Sequence, residues 1–436
     1  MSSSAAIPDR PAPAEPDAAW QGGLRHGLRY GALGLPLAFV ALPLYVVLPN
    51  YYAANFGVPL AWLGGLLLAT RLLDALADPW IGRWCDRLHA QPPQSLLRVA
   101  MIAALILALG FHGLFFPPLR TPGALMAWGG LMLVFTYLSY SLLSIAHQSW
   151  GARLGGDASQ RAQIVAWREG LALVGVLLAS VLPLVAGMGP TSAVLTVALA
   201  VGLALLWRAP RAARSALRPA TSNMRLALAN PSFRRLLWIY MLNGIASAIP
   251  ATLVLFFIAD RLQASAFEPL MLGAYFAAAA LSLPLWMRTV RHVGLRRSWL
   301  GGMLLAVAAF AWASALGAGD VVAFAAVCVF SGVALGADLS LPGALLAGVI
   351  RRAGHDGQAE GLYFGWWNLA TKLNLALAAG IALPLLGLLG YAPGSREPNA
   401  LAALTAIYCL LPCGLKLLAA ALLYQSRRGG MKGLDE

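Results

Sequence analysis

Apolar runs of about 20 residues or more follow one another along the chain at roughly 29–53, 60–82, 96–117, 123–149, 164–187, 190–207, 233–259, 267–287, 298–317, 321–350, 360–388 and 399–424. Each is long enough to cross the hydrocarbon layer as a helix, and twelve such runs leave little chain for anything else. Composition agrees: 60% of the 436 residues are hydrophobic, 11% are charged and mean hydropathy is +0.72. A soluble domain carries about twice that charge. The expected fold class is an all-α integral membrane protein of twelve transmembrane helices, embedded in the lipid bilayer.

The net charge of +14 would suggest nucleic acid in a soluble chain, but its distribution is topological, so no nucleic-acid partner is expected. Arg208, Arg211, Arg214, Arg218, Arg225, Arg234 and Arg235 crowd the central loop, and arginines recur in alternate connections. The opposite side holds Arg120, Arg261 and Arg396. By the positive-inside rule both termini are cytoplasmic, in a cell inner (plasma) membrane. Residues 1–28 lack a signal peptide's apolar centre and cleavage site and read as a disordered tail. The central basic linker 208–232 then divides the chain into six-helix bundles at 29–207 and 233–424, followed by a tail at 425–436. Cys85, Cys328, Cys409 and Cys413 form no metal-ligand set and read as packing residues.

Asp74 and Asp78 stand four residues apart inside the second apolar run, followed by Pro79. Their Cβ atoms lie about 5–6 Å apart on one helical face, close enough to share one small cation such as Na⁺ and too close to stay ionised together without one. Charge at bilayer depth is costly and marks a functional site. Pro79 also leaves the carbonyl one turn back without its helical donor. The same spacing suits ion pairs with Arg71 and Lys372. Lys372 sits in the middle of an apolar run and needs acceptors, whereas Lys416 lies toward the end of the last helix. With Asp74 and Asp78 it sums to minus one, so a single Na⁺ or H⁺ would neutralise the cluster.

Division into two halves suits transporters built from parallel repeats with a solute site between them. Gly82-Arg-Trp-Cys-Asp-Arg87 resembles the cytoplasmic loop signature of the major facilitator superfamily. In it Asp86, beside Gly82 and Arg87, can meet a neighbouring helix N-terminus or a nearby arginine, forming a conformational switch. The stretch Arg71-Leu-Leu-Asp-Ala-Leu-Ala-Asp-Pro-Trp-Ile-Gly82 is similar to the helix II motif of that superfamily's glycoside–pentoside–hexuronide:cation symporters, the melibiose permease branch. Tyr140-Ser-Leu-Leu-Ser-Ile145, Trp167-Arg168 and Lys372 before Gly390-Tyr391 extend the likeness to helices IV, V and XI.

The resemblance implies a cation site at Asp74, Asp78 and Ser141, a substrate arginine at Arg168, and a coupling lysine at Lys372. The family's sugar-binding acids fall on Leu35 or Pro36 and on Ser144, and Gln148 replaces a helix IV aromatic. Trp367 and Asn368 supply a stacking face and an amide for a solute, beside Trp366. Arg168 either grips that solute or anchors a helix end. Asp338, four residues before Pro342, is a further switch candidate or an internal salt bridge, and His147 is a candidate for the cavity. No catalytic triad, Walker sequence or dinucleotide loop occurs. The expectation is a monomeric secondary transporter, not an enzyme, without cofactor beyond a coupling Na⁺ or H⁺. Its small-molecule substrate is a sugar or glycoside by resemblance, or a non-sugar or amphipathic metabolite because the acids are missing; the alternative outside transport is a membrane sensor or scaffold, which would have no energetic reason to bury Asp74, Asp78 and Lys372.

Overall fold

The computed structural model describes residues 20–58, 60–119, 121–211 and 223–425. Twelve helical units follow in the expected order. The first, α1, is segmented into Gly23–Gly31, Gly34–Leu42, a π-turn at Pro43–Val47, and Leu48–Phe56. Then come α2 (Leu60–His89), α3 (Pro93–Phe115), α4 (Pro122–Arg153), α5 (Ala158–Ala186) and α6 (Met188–Trp207). The second half comprises α7 (Pro231–Phe256), α8 (Glu268–Val293), α9 (Leu295–Ala313), α10 (Val321–Arg352), α11 (Glu360–Leu388) and α12. The last unit runs through Pro398–Thr405, a π-turn at Ala406–Leu410 and Leu411–Gln425.

Among the described residues nine helices are singly long and apolar enough to cross a membrane, or ten when the pair bent by 42° in α1 counts as one. The other two are α2, which carries Arg71, Asp74 and Asp78, and the 19-residue α9, which opens on Arg296 and Arg297.

Several boundaries differ from the hydropathy reading because polar residues cap or extend helices. The tail does not reach residue 28: Gly23–Gly31 is already helical and Trp20 is buried. Arg25, His26 and Arg29 hide this turn from an apolarity scan, while Gly27 and Gly31 let it lie directly on Trp167 of α5. The Gly82–Arg87 signature lies in the last turns of α2, not in a loop. The fifth helix starts at Ala158, where the Asp157 side chain accepts from the backbone of Gln160 in a capping box. Arg168 is therefore almost three turns inside α5. Asn230 caps α7 by accepting from Ser232 and Phe233, with Pro231 in the first position. Residues 212–222 of the linker, 1–19 of the first tail and 426–436 of the last lie outside the described residues.

Contacts between the halves form two seams. Helix α2 packs on α11, and α5 packs on α8 and α10. Shifting by six helices exchanges α2 with α8 and α5 with α11, which is the relation a parallel repeat requires. Close approach at the α2–α11 seam depends on glycine: a Cβ at Gly82 would overlap the Gly361 carbonyl, and one at Gly361 the Gly82 carbonyl. One turn on, Gly365 faces the carbonyl of Asp78. The hydrogen bonds and ion pairs described between the halves run from the arginine-rich end to the level of Lys372. Farther along, a Cβ at Gly64, Gly65, Gly380 or Gly387 would meet nothing within 4 Å. The bundle is thus tied closed from its arginine-rich end to the level of Lys372.

Gly82→Leu should open that closed end. In a cysteine-free background carrying Leu362→Cys, a position fully buried at the seam, the thiol is expected to resist N-ethylmaleimide. Adding Gly82→Leu should raise its labelling rate at least about tenfold, equivalent to ~1.4 kcal/mol. An unchanged rate would show that the seam tolerates a side chain.

Candidate functional site

Helices α2, α4 and α11 bring the predicted charge cluster together. The Lys372 ammonium lies 2.7 Å from Asp74 Oδ2 and 2.8 Å from Asp78 Oδ2. It also donates to Asp78 Oδ1 at 2.9 Å and to Ser141 Oγ at 2.7 Å. Ser141 in turn donates to Asp74 Oδ1 at 2.6 Å. Asp74, Asp78 and Ser141 are buried, whereas the Lys372 side chain is 21% exposed. All the ammonium's donors have partners, and the four side chains form a closed set with a net charge of minus one. Arg71 does not join them; its guanidinium lies 3.6 Å over the Tyr45 ring, on the face it shares with Asp74 and Asp78.

The residues expected to meet a solute group near this cluster but use their polar atoms on one another. Gln148 donates to Ser144 Oγ at 2.9 Å and to Asn368 Oδ1 at 3.3 Å, joining α4 to α11. Trp367 stacks on Tyr240 of α7 at 3.8 Å, and Tyr240 shares a hydrogen bond with Thr371 at 2.8 Å. Trp366 points the other way, donating to the Met224 carbonyl. Arg168 donates from Nε and Nη2 to Glu169 Oε1 at 2.9 and 2.6 Å, and both side chains remain partly exposed. Glu169, which the family motif did not mark, is thus the partner of Arg168. His147 stays inside the first half: it is buried against Tyr30, with its ring Nε2 2.7 Å from the Tyr30 carbonyl.

At the arginine-rich end, Asp86 accepts from the backbone of Gly361 at 2.7 Å and Leu362 at 2.8 Å, the first turn of α11. Arg153 of α4 reaches Asp86 at 3.0 Å, Glu360 at 2.8 Å and the Gly357 carbonyl at 2.8 Å. Both alternatives raised for Asp86 are therefore realised at once. Arg87 is exposed on the outer surface of α2, so the arginine of this lock is Arg153, which sequence reading missed because it lies 67 residues away.

Asp338 is not at the seam. It accepts from Asn243 and Trp299 at 2.9 Å, from Ser247 at 3.2 Å and from Lys416 at 2.8 Å, all within the second half. Lys416 is 2% exposed, so Lys372 is not the chain's sole deep lysine. The signal for this pair was present in the sequence: an ammonium and a carboxylate, each alone on an apolar helix.

The profile of the MFS/sugar transport protein family matches residues 29–426. The glucuronide carrier protein homolog of Escherichia coli (strain K12) is 26% identical over 427 residues, covering 91% of each chain. The inner membrane symporter YicJ of the same organism is 27% identical over 135 residues, 30% of this chain and 28% of that one, so this match spans under a third of the relative. Among solved structures, a bacterial homologue of the iron transporter ferroportin in an outward-facing state aligns with a TM-score of 0.68 at 18% identity, over 92% of this chain and 98% of that one. This last likeness concerns the fold alone.

Asp338→Asn would leave the Lys416 ammonium buried beside a neutral amide. Removing one partner of a buried pair costs about 3–5 kcal/mol, and thermal unfolding in detergent should show that loss. Asp338→Asn combined with Lys416→Met should recover most of it. A single variant as stable as the parent would mean the pair is already relaxed by water.

Proposed function

Because the chain belongs to the MFS/sugar transport protein family, and so is a membrane transporter rather than an enzyme, we propose that it is a cation-coupled symporter. In this reading Asp74, Asp78 and Ser141 receive the coupling cation and Lys372 is the switch that reports its arrival. The halves 29–207 and 233–424 rock about the solute. The arginine-rich end is cytoplasmic by the positive-inside rule, so both termini face the cytoplasm in this reading.

The observation that carries the reading is that Lys372 occupies the centre of the oxygen cage, with both carboxylates and Ser141 within 2.9 Å. Without a further cation the cluster keeps one negative charge, which is unfavourable to close over in an apolar medium. An arriving Na⁺ finds hard oxygen ligands there, and an arriving H⁺ finds a carboxylate. Either brings the sum to zero and competes with the ammonium for acceptors. A displaced Lys372, on the partly exposed side of the cage, then needs a new acceptor, which a solute oxygen supplies. Cation and solute each raise the other's affinity, as linkage demands. One charge moving through 100 mV delivers about 2.3 kcal/mol.

The solute is a small polar molecule, a sugar or glycoside, in keeping with the relatives' names. The Arg168–Glu169 pair, Gln148 and Asn368 offer donors and acceptors for it, while Trp367 is buried against Tyr240 and supports them from behind. Glu169 stands beside the arginine while Leu35, Pro36 and Ser144 hold the places of the family's acids, which favours a solute other than a simple galactoside.

Asp74→Asn and Asp78→Asn test the cation site without knowledge of the solute. In purified protein, replacing choline by Na⁺, or lowering pH, should raise the unfolding temperature, because a ligand at a hundred times its dissociation constant contributes about 2.7 kcal/mol. Each variant should lose that response while remaining folded. A preserved response in both would remove the pair from the mechanism. Lys372→Ala should destabilise the protein by leaving two facing carboxylates without their counter-charge, and adding Asp74→Asn should partly restore stability; strictly additive losses would deny the shared charge.

A further inference from the structure

A groove of about 560 Å³ runs down the outer face of the first half between α3 and α6. Small residues, among them Ala104, Ala200 and Ala204, shape its wall, and Met101 and Leu105 stand exposed beside them. The hydroxyl of Thr196, the other polar side chain of the lining besides Arg208, donates to the Ser192 carbonyl at 2.9 Å. The surface is therefore hydrocarbon-like except at one end. There Arg208 closes the groove next to the exposed Trp207, and Arg98 is exposed one residue after Leu97 of the lining. Arg211, whose guanidinium reaches the Trp207 carbonyl, adds a third positive charge. Neither α3 nor α6 carries an aspartate or glutamate, so the groove's own helices offer these arginines no counter-ion.

The lining spans Leu97 to Ala108 on α3 and Thr196 to Trp207 on α6. At 1.5 Å per residue each stretch is about 16 Å long, close to half of the ~30 Å hydrocarbon layer. The groove thus has the depth of one leaflet and carries its charge where that leaflet meets water. We propose that it holds an acyl chain of an anionic phospholipid whose phosphodiester headgroup is bound by Arg98, Arg208 and Arg211. An apolar groove by itself does not prefer one lipid to another, since every lipid tail fills it equally. The arginines supply the selection, by charge complementarity at the leaflet surface. A second copy of the chain would have to present an acid to the same three arginines, and its own α3 and α6 have none. The site lies away from both seams, so it does not depend on the transport reading.

The test is native mass spectrometry of the full chain in dodecyl maltoside, titrated with dioleoyl phosphatidylglycerol or dioleoyl phosphatidylcholine. The parent should retain one phosphatidylglycerol at a lipid concentration at least about tenfold below that needed for phosphatidylcholine. Arg98→Gln with Arg208→Gln should bring phosphatidylglycerol to the phosphatidylcholine level. Ala200→Leu with Ala204→Leu should fill the groove and lose phosphatidylglycerol with the arginines intact. All four positions are exposed, and helical circular dichroism checks that both variants are folded. Equal retention of the two lipids by the parent, undiminished phosphatidylglycerol in both variants, or a dimer mass in place of a lipid adduct would each overturn the proposal.

Discussion

Two carboxylates buried at bilayer depth need a counter-charge, and this chain supplies it from its opposite half. Asp74 and Asp78 belong to α2 and Lys372 to α11, so the ion cluster is also a tie between bundles. The tie is short only because the backbones approach closely, and they do so because Gly82, Gly361 and Gly365 present no side chains. Glycine at the seam and the charge cluster beside it are parts of one arrangement: a bulkier seam would hold the ammonium away from its acceptors.

A second anchor lies at the arginine-rich end, where Asp86 accepts the first N–H groups of α11 and so meets the positive end of its dipole. Asp74 and Asp86 are separated by 12 residues on α2, and Glu360 and Lys372 by 12 on α11. The helices run antiparallel, so both anchors fall into register about 18 Å apart. Arg153 extends the outer anchor to α4, and Ser141 extends the inner one to the same helix. Helices α2, α4 and α11 are thus clamped at two depths, and breaking one clamp loosens the geometry of the other.

The helices and the charge cluster were legible in the sequence because apolarity and isolated charges are local signals. Asp74, Asp78 and Lys372 announce themselves by their surroundings, and only one pairing neutralises most of their charge. Helix ends were less legible, since Arg25, Arg29 and Asp157 look like loop residues until capping or packing is considered. Partners chosen across many residues were hidden where charges are plentiful: nothing near Asp86 names Arg153 among the many arginines of that end. Arg168 was marked by resemblance, while Glu169 beside it went unmarked although it takes both of the arginine's facing donors.

The Asp338–Lys416 pair also bears on how the chain is made. A charged residue at the centre of a helix costs about 2.5–3.5 kcal/mol on insertion, and α10 and α12 each carry one into the membrane with Trp299, Asn243 and Ser247 as the other polar partners. Helix α10 is synthesised first and leaves the ribosome with its carboxylate's main partner still untranslated. The interior of the second half therefore gains its neutralising charge only when α12 arrives. Until Lys416 arrives, Asp338 has only the neutral donors of Asn243, Ser247 and Trp299 to hold its charge.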